Sequence, residues 1–348
     1  MQRTIIAAAV LLLMQIALAV ALNMTGSQSR DVSPAAPLFG FAPDTVTALD
    51  IAGPSGERLT IRKTDAGWIL PEHFDAPASG EQVNGLLAKL ADLKQGLAVA
   101  TSDEAAKRFK VTETVFERHV VVKKGEETVA DLYVGTSPGF RQVQARKAGA
   151  PEIVTVALNT FDLETAADKW LDKNLFRLKQ EEMDALVFAG FTLQKKDKNW
   201  QLAGLEEGKE TAKDGADDLV NGVSGLTIQD VMNPKEAAAL FAGEPALSFT
   251  VNLKNGSKLE YRFAKPSADY FVVKRSDREL YGKVHTVQVE NLRKYSREKL
   301  IKQENLPAVE SGQVEGAEGL KGGMANEPPE TGESKETEAP KEANPAQQ

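Results

Sequence analysis

Residues 247–263 read LSFTVNLKNGSKLEYRF, and this stretch decides the fold class. Leu247, Phe249, Val251 and Leu253 alternate with Ser248, Thr250 and Asn252; Leu259, Tyr261 and Phe263 then alternate with Lys258, Glu260 and Arg262. Successive strand side chains point to opposite faces, so this period of two gives each arm one apolar and one polar face. Between the arms, Asn255-Gly256 supplies the two positive φ angles of a type I′ turn, which predicts a hairpin. Tyr270 to Arg275 reads as a third strand. Just upstream, Asn233-Pro234 is an N-cap and first-turn pair for a helix through Phe241.

The same signals occur earlier in the chain. Leu59-Thr60-Ile61 and Trp68-Ile69-Leu70 flank the turn residues Asp65-Ala66-Gly67. Ser79 with Gln82 has the capping-box spacing, and Val83, Leu86, Leu87, Leu90 and Leu93 then share one helical face. A short helix near Asp103 to Phe109 precedes strand-like runs at Arg118–Lys123, Val129–Val134, Arg141–Arg146 and Ile153–Val156.

The two regions correspond in order. Leu49-Asp50-Ile51 is answered by Leu186-Val187-Phe188, and Gly67-Trp68-Ile69-Leu70 by Asn199-Trp200-Gln201-Leu202. Val83-Asn84-Gly85 recurs as Val220-Asn221-Gly222, Glu104-Ala105-Ala106 with Phe109 as Glu236-Ala237-Ala238 with Phe241, and Thr155-Val156 as Thr286-Val287. All five offsets fall between 131 and 137, which predicts two related tandem modules, residues 44–176 and 177–306. Each is expected to be α+β, an antiparallel sheet with helices on one face.

At the N-terminus, residues 5–22 read IIAAAVLLLMQIALAVAL, eighteen residues without a charge. As a helix they span about 27 Å, close to the roughly 30 Å bilayer core. Arg3 lies on the short upstream side, which by the positive-inside rule is cytoplasmic. Residues 1–22 therefore read as a single-pass anchor, with a cleaved signal peptide as the alternative. The small-x-small triplets Ala17-Leu18-Ala19 and Ala19-Val20-Ala21 favour cleavage, and the length of the apolar stretch favours retention. Either way the bulk is expected on the periplasmic or outer side of a bacterial inner membrane. Residues 23–43, rich in Ser, Pro, Gly and Ala, read as a flexible stalk, and 307–348 as a disordered acidic tail. That tail holds nine Glu and three Lys, leaving only −2 of the net −8 for the rest of the chain. Such a balance argues against nucleic acid as a partner. The absence of cysteine excludes disulfides, thiolate metal sites and a cysteine nucleophile.

No residue is assigned a catalytic, cofactor-binding or metal-binding role, and no cofactor is expected. His73, His119 and His285 stand without metal-ligand spacing and read as structural or solvated. Gly204 to Thr211 superficially resembles a phosphate loop but is one residue short, has Glu210 where Ser or Thr belongs, and carries further acids. Gly-x-Ser-x-Gly is absent. The pairs Asp217-Asp218 and Glu181-Glu182 read as surface carboxylates rather than acid–base groups. Trp68 and Trp200 read as core residues closing their hairpins, with an aromatic ligand platform as the alternative. Lys195-Lys196-Asp197-Lys198 and Arg293-Lys294 with Arg297 are short basic patches, expected to be solvated or to touch lipid headgroups.

Taken together, Leu49-Asp50-Ile51, the Arg58-to-Leu70 hairpin, the Ala78-to-Leu93 helix, Asp131-Leu132-Tyr133-Val134-Gly135 and Asp168-Lys169-Trp170-Leu171-Asp172 resemble the domain of unknown function 4340 family, over Thr45 to about Leu226. The resemblance implies a single N-terminal transmembrane helix and, for some members, association with ABC-type export or gliding-motility systems. It implies no catalytic residues. The expectation is a non-enzymatic accessory or scaffold protein of a cell-envelope complex such as an ABC-type transport system. Its expected partners are membrane lipid, through the N-terminal helix, and other envelope membrane proteins. The alternative is a small-molecule or glycan binding module with its site between the two modules.

Overall fold

Leu49 and Ile51 point to one face of β1 (Ala48–Ala52), and both are fully buried. Around this strand the computed structural model, which describes residues 36–302 and upstream of them only Gln15, as helical, builds the first of two sheets. Apart from Gln15, the anchor expected over 1–22, residues 23–35 of the stalk and the tail over 307–348 lie outside the described residues. The other strands of this sheet are β2 (Arg58–Thr64), β3 (Gly67–Leu70), β4 (Ala76–Pro77), β5 (Ala98–Ala100), β6 (Arg118–Lys124), β7 (Glu127–Val134), β8 (Val143–Lys147) and β9 (Ile153–Val156). They lie in the order β4-β3-β2-β1-β6-β7-β8-β9-β5, all antiparallel.

The second sheet contains β10 (Met183–Phe188), β11 (Phe191–Lys196), β12 (Asn199–Leu202), β13 (Asp230–Met232), β14 (Leu247–Leu253), β15 (Lys258–Ala264), β16 (Tyr270–Arg275) and β17 (Tyr281–His285). Its order is β12-β11-β10-β14-β15-β16-β17-β13, again antiparallel. Apart from β4, each strand of the first sheet has a counterpart in the same place and sequence position in the second. The architecture is α+β, two antiparallel sheets with a few helices.

Helices α1 (Gly80–Ala91) and α4 (Lys213–Ser224) take equivalent places and bury Val83, Leu86, Leu87 and Leu90, and Leu219, Val220 and Val223, in one continuous core. The short helices α2 (Asp103–Arg108) and α5 (Pro234–Leu240) sit differently from expectation, on the opposite faces. Ala105 and Ala106 pack with Tyr133 and Ile153, and Ala237 packs with Val272 and Tyr281. Those strand residues alternate with the core-facing Leu132, Val134, Val154, Phe271 and Val273, so the outer faces are apolar at one end. The remaining helices are α3 (Ala167–Trp170) and α6 (Thr286–Arg293).

Four local expectations change. The β14–β15 hairpin forms, but of its two central residues only Gly256 has positive φ, 84°. The Gly256 N–H donates to Leu253 O at 2.9 Å, and Asn255 Oδ1 accepts from the Ser257 N–H at 3.0 Å. The connection is therefore a three-residue loop with a glycine bulge rather than a type I′ turn, with Asn255 held by its own side chain. At α1, Ser79 Oγ accepts from the Gln82 N–H, while the Ser79 N–H donates to Trp170 O at 2.7 Å, leaving the reciprocal half of the capping box unformed. Thr155-Val156 lies in β9 whereas Thr286-Val287 begins α6, so that matched pair is not structurally equivalent. Lastly, Ala36 to Pro43, read as stalk, is packed. Leu38 is buried, its N–H donates to Leu93 O at 2.6 Å, and the Gln95 N–H donates to Ala36 O at 2.8 Å. The apolar Leu38, Phe39 and Phe41 draw this stretch onto the core.

The two sheets meet at residues 171–176. The Asp172 N–H donates to Pro77 O at 2.8 Å, on the first side, and Lys173 O accepts from the Ile228 N–H at 3.1 Å, on the second. Each half of this double pairing recurs singly at the outer ends of the described chain. The Lys302 N–H donates to Glu210 O as Asp172 does to Pro77, and Ala36 O accepts from Gln95 as Lys173 does from Ile228.

Candidate functional site

Sequence spacing leaves the histidines isolated; the fold gives two of them carboxylate partners. His73, in the turn after β3, places Nε2 2.7 Å from Asp230 Oδ1 on β13, and Lys283 Nζ donates to Asp230 Oδ2 at 2.8 Å. Burial works against ionisation of Asp230. The hydrogen bonds from His73, Lys283 and the Val231 N–H outweigh it and hold the carboxyl well below the usual carboxylate range. This cluster ties the first sheet to the edge of the second across 157 residues of sequence. Beside it Phe176 is fully buried, and its carbonyl accepts from Tyr261 Oη at 3.0 Å. Arg275 donates to Tyr261 Oη at 3.1 Å and binds Asp277 in bidentate fashion at 2.6 and 3.0 Å. Burial pushes the Tyr261 hydroxyl up despite the guanidinium, and the Asp277 carboxyl, opposed by burial, is drawn down by Arg275. Where the sheets meet, Leu171, Leu175 and Phe176 are all buried.

His119 forms the second pair. It lies opposite Tyr133 across β6 and β7, and the two rings stack at 4.2 Å between centroids. Its Nε2 is 2.7 Å from Asp131 Oδ1, the neighbouring polar position. Phe116 tilts against both rings. Next to them Lys123 Nζ donates to Asp50 Oδ2 at 2.7 Å. Asp50, Phe116, His119, Lys123 and Tyr133, together with Arg58, Glu72 and Glu113, line a depression of ≈ 580 Å³ on the outer face of the first sheet. The Tyr133 hydroxyl is pushed up by burial and then by the charges of Asp131 and Glu113. What the arrangement offers is ordered hydrogen-bond donors and acceptors beside aromatic surface.

The second sheet serves as an internal control for this depression. Registers equate Asp50 with Val187, His119 with Ser248, Lys123 with Asn252, Asp131 with Glu260 and Tyr133 with Arg262. A sheet of the same topology thus forms without the His–Asp pair, the stacked Tyr or the Asp–Lys pair, so the fold does not require them. A partial sequence signal did exist: the Gly125-Glu126 turn pairs Lys124 with Glu127 and, counted on, sets His119 opposite Leu132, and a register shift between Val122 and Lys123 moves it to Tyr133. No local signal pairs His73 with Asp230.

His285 caps α6, its Nδ1 accepting from the Val287 N–H at 3.2 Å. Trp68 and Trp200 are both buried, opposite Lys63 and Lys195, whose Nζ atoms each lie 5.6 Å from the indole centroid. In the Gly204–Thr211 loop, Glu206 pairs with Lys209 and Glu210 with Lys302, both at 2.7 Å. Asp217 is held by Lys213 at 2.6 Å; Glu181 and Glu182 lie in a single 3-10 turn. Among the basic patches, Lys195 donates to Gln180 O, Arg293 to Glu290, and Arg297 to the carbonyls of Ala203 and Gly204. Among the described residues no group of three His, Cys, Asp or Glu is placed to hold a metal ion, and no helix is long and apolar enough to cross a membrane.

No curated protein and no solved structure matches the chain. One family does, over residues 68–245, from the second position of β3 to the loop before β14 and so across the meeting of the two sheets. That span takes in just over half of the chain, which belongs to the family described as domain of unknown function (DUF4340).

Proposed function

We propose that this protein is a membrane-anchored, extracytoplasmic accessory or scaffold component of a bacterial cell-envelope complex, such as an ABC-type transport system, and not an enzyme. The observation that carries this reading is the doubly paired segment 171–176. Backbone hydrogen bonds on both sides, the His73–Asp230–Lys283 cluster and the buried Phe176 unite the two sheets into one stiff body. A body of this kind suits holding partners at fixed separation better than closing around a ligand at a hinge. The matching strand orders support descent of the two halves from one duplicated unit, and the uncharged 5–22 segment supports the anchor. Affinity capture of the full chain from native membranes in mild detergent tests the proposal. Reproducible recovery of an integral membrane complex is expected, and its repeated absence would sink it.

The internal comparison favours a second reading, a small-molecule or glycan binding module. Its site would be the His119 depression on the outer face of the first sheet, since residues are placed there that the second sheet does without. A thermal shift with saccharides that disappears in His119→Ala and Tyr133→Leu is expected on that view.

A further inference from the structure

Three large apolar side chains stand almost wholly in water: Leu97, Phe140 and Phe161 are 85%, 88% and 82% exposed. Scattered one by one such residues are ordinary, but these share one end of the molecule. Leu97 begins the run into the edge strand β5, where Val99 is also exposed. Phe140 heads the β7–β8 turn, with the Arg141 guanidinium 5.0 Å from its ring centroid. Gln142 of that turn lines a shallow depression with Lys94, Gly96 and Lys89. Phe161 precedes Asp162, which accepts from Lys89 Nζ at 2.8 Å. The N-terminal part of the chain arrives at this same end, since Ala36 and Leu38 bond Gln95 and Leu93.

We infer that this end is a bilayer-docking surface, on which Leu97, Phe140 and Phe161 enter the lipid interface and hold the two-sheet body against the membrane. The inference rests on the membrane-anchored reading above. Only thirteen residues, 23–35, separate the apolar 5–22 segment from Ala36. Fully extended they reach about 45 Å, so this end of the molecule is the one confined near the lipid. An aromatic ring with a flanking guanidinium suits the water–hydrocarbon boundary. Asp92 and Asp162 offset the cations Lys89 and Lys94 here, so attachment is expected to depend chiefly on apolar contact and to persist on zwitterionic lipid.

The chain lacks cysteine, so single thiols can be placed cleanly. Full-length Leu97→Cys, Phe140→Cys and Phe161→Cys, with Lys254→Cys on the β14–β15 turn as control, are labelled with an environment-sensitive fluorophore and reconstituted into phosphatidylcholine nanodiscs. Emission of the first three is expected to shift to the blue and to be quenched at least twofold by nitroxide-labelled lipid, with the control unaffected. Retention in nanodiscs with all four labels in water overturns the docking surface and leaves the anchor standing. Failure to be retained at all overturns the anchor, and the docking surface with it. Labels in water in nanodiscs but shielded in native membranes would assign this end to a protein partner, and also overturn the inference.

Discussion

At Asp230 two opposing effects meet on one carboxylate, and its hydrogen bonds prevail over burial. The folded-state pKa is depressed, so the stabilisation is complete above the unfolded value and is lost as pH falls below about 4. Asp230→Asn is expected to cost about 1–3 kcal/mol near neutrality. It should also flatten the fall of the urea midpoint on acidification, as measured by denaturation at a series of pH values. Arg275 poses the opposite question, because its guanidinium is almost fully buried. Truncation in Arg275→Ala takes from Asp277 its bidentate partner and from the Tyr261 hydroxyl one of its hydrogen bonds and is expected to cost about 3 kcal/mol, whereas Arg275→Met, which keeps the apolar stem, should cost clearly less. Equal losses by urea denaturation would show that the charge network, not packing, is what Arg275 contributes. The Asp230 cluster was not legible in the sequence, since His73 lies 157 residues away, whereas Arg275, Asp277 and Tyr261 are near neighbours whose burial was what the sequence did not disclose. His119 with Asp131 was within reach, because both lie on one hairpin.

Hairpins and amphipathic helices were the legible elements, as their cause is local: the alternation at 247–263 and the heptad-like leucines of α1 each specify a face to bury. The three-residue strands β5 and β13 were not. They are too short to show a period, and hydrogen bonds to β9 and β17, distant in sequence, define them. The bulge at Gly256 was missed for a related reason, since Asn-Gly fits two loop lengths and the strand register chooses between them. Close approach between elements leads to a further prediction. A Cβ at Gly135, after β7, would fall 1.9 Å from Phe109 O and 2.7 Å from Lys110 O, both rigid backbone at the end of α2. Gly135→Ala is therefore expected to separate α2 from the sheet at a cost of about 1–3 kcal/mol, visible as faster amide exchange in 103–111.

For the molecule as a whole, the core is continuous through both sheets, so they should unfold together. Trp68 and Trp170 report on the first half and Trp200 on the second. The fluorescence midpoint of Trp200→Phe is expected to coincide with that of Trp68→Phe/Trp170→Phe after each is corrected for its own destabilisation. Two separated transitions would mean that segment 171–176 joins the halves without coupling them. The sequence repeat made the presence of two similar halves legible; how they meet was not, because one stretch of chain closes the first and opens the second. That shared stretch has a consequence for how such genes change length. Among the described residues, Lys302 and Ala36 each make one half of that stretch's pairing. Joining the former in frame to the latter of another copy would regenerate the hydrogen-bonding positions of 171–173 without inventing a new surface. Growth is then open in whole units, while a break within the shared stretch leaves both neighbours incomplete.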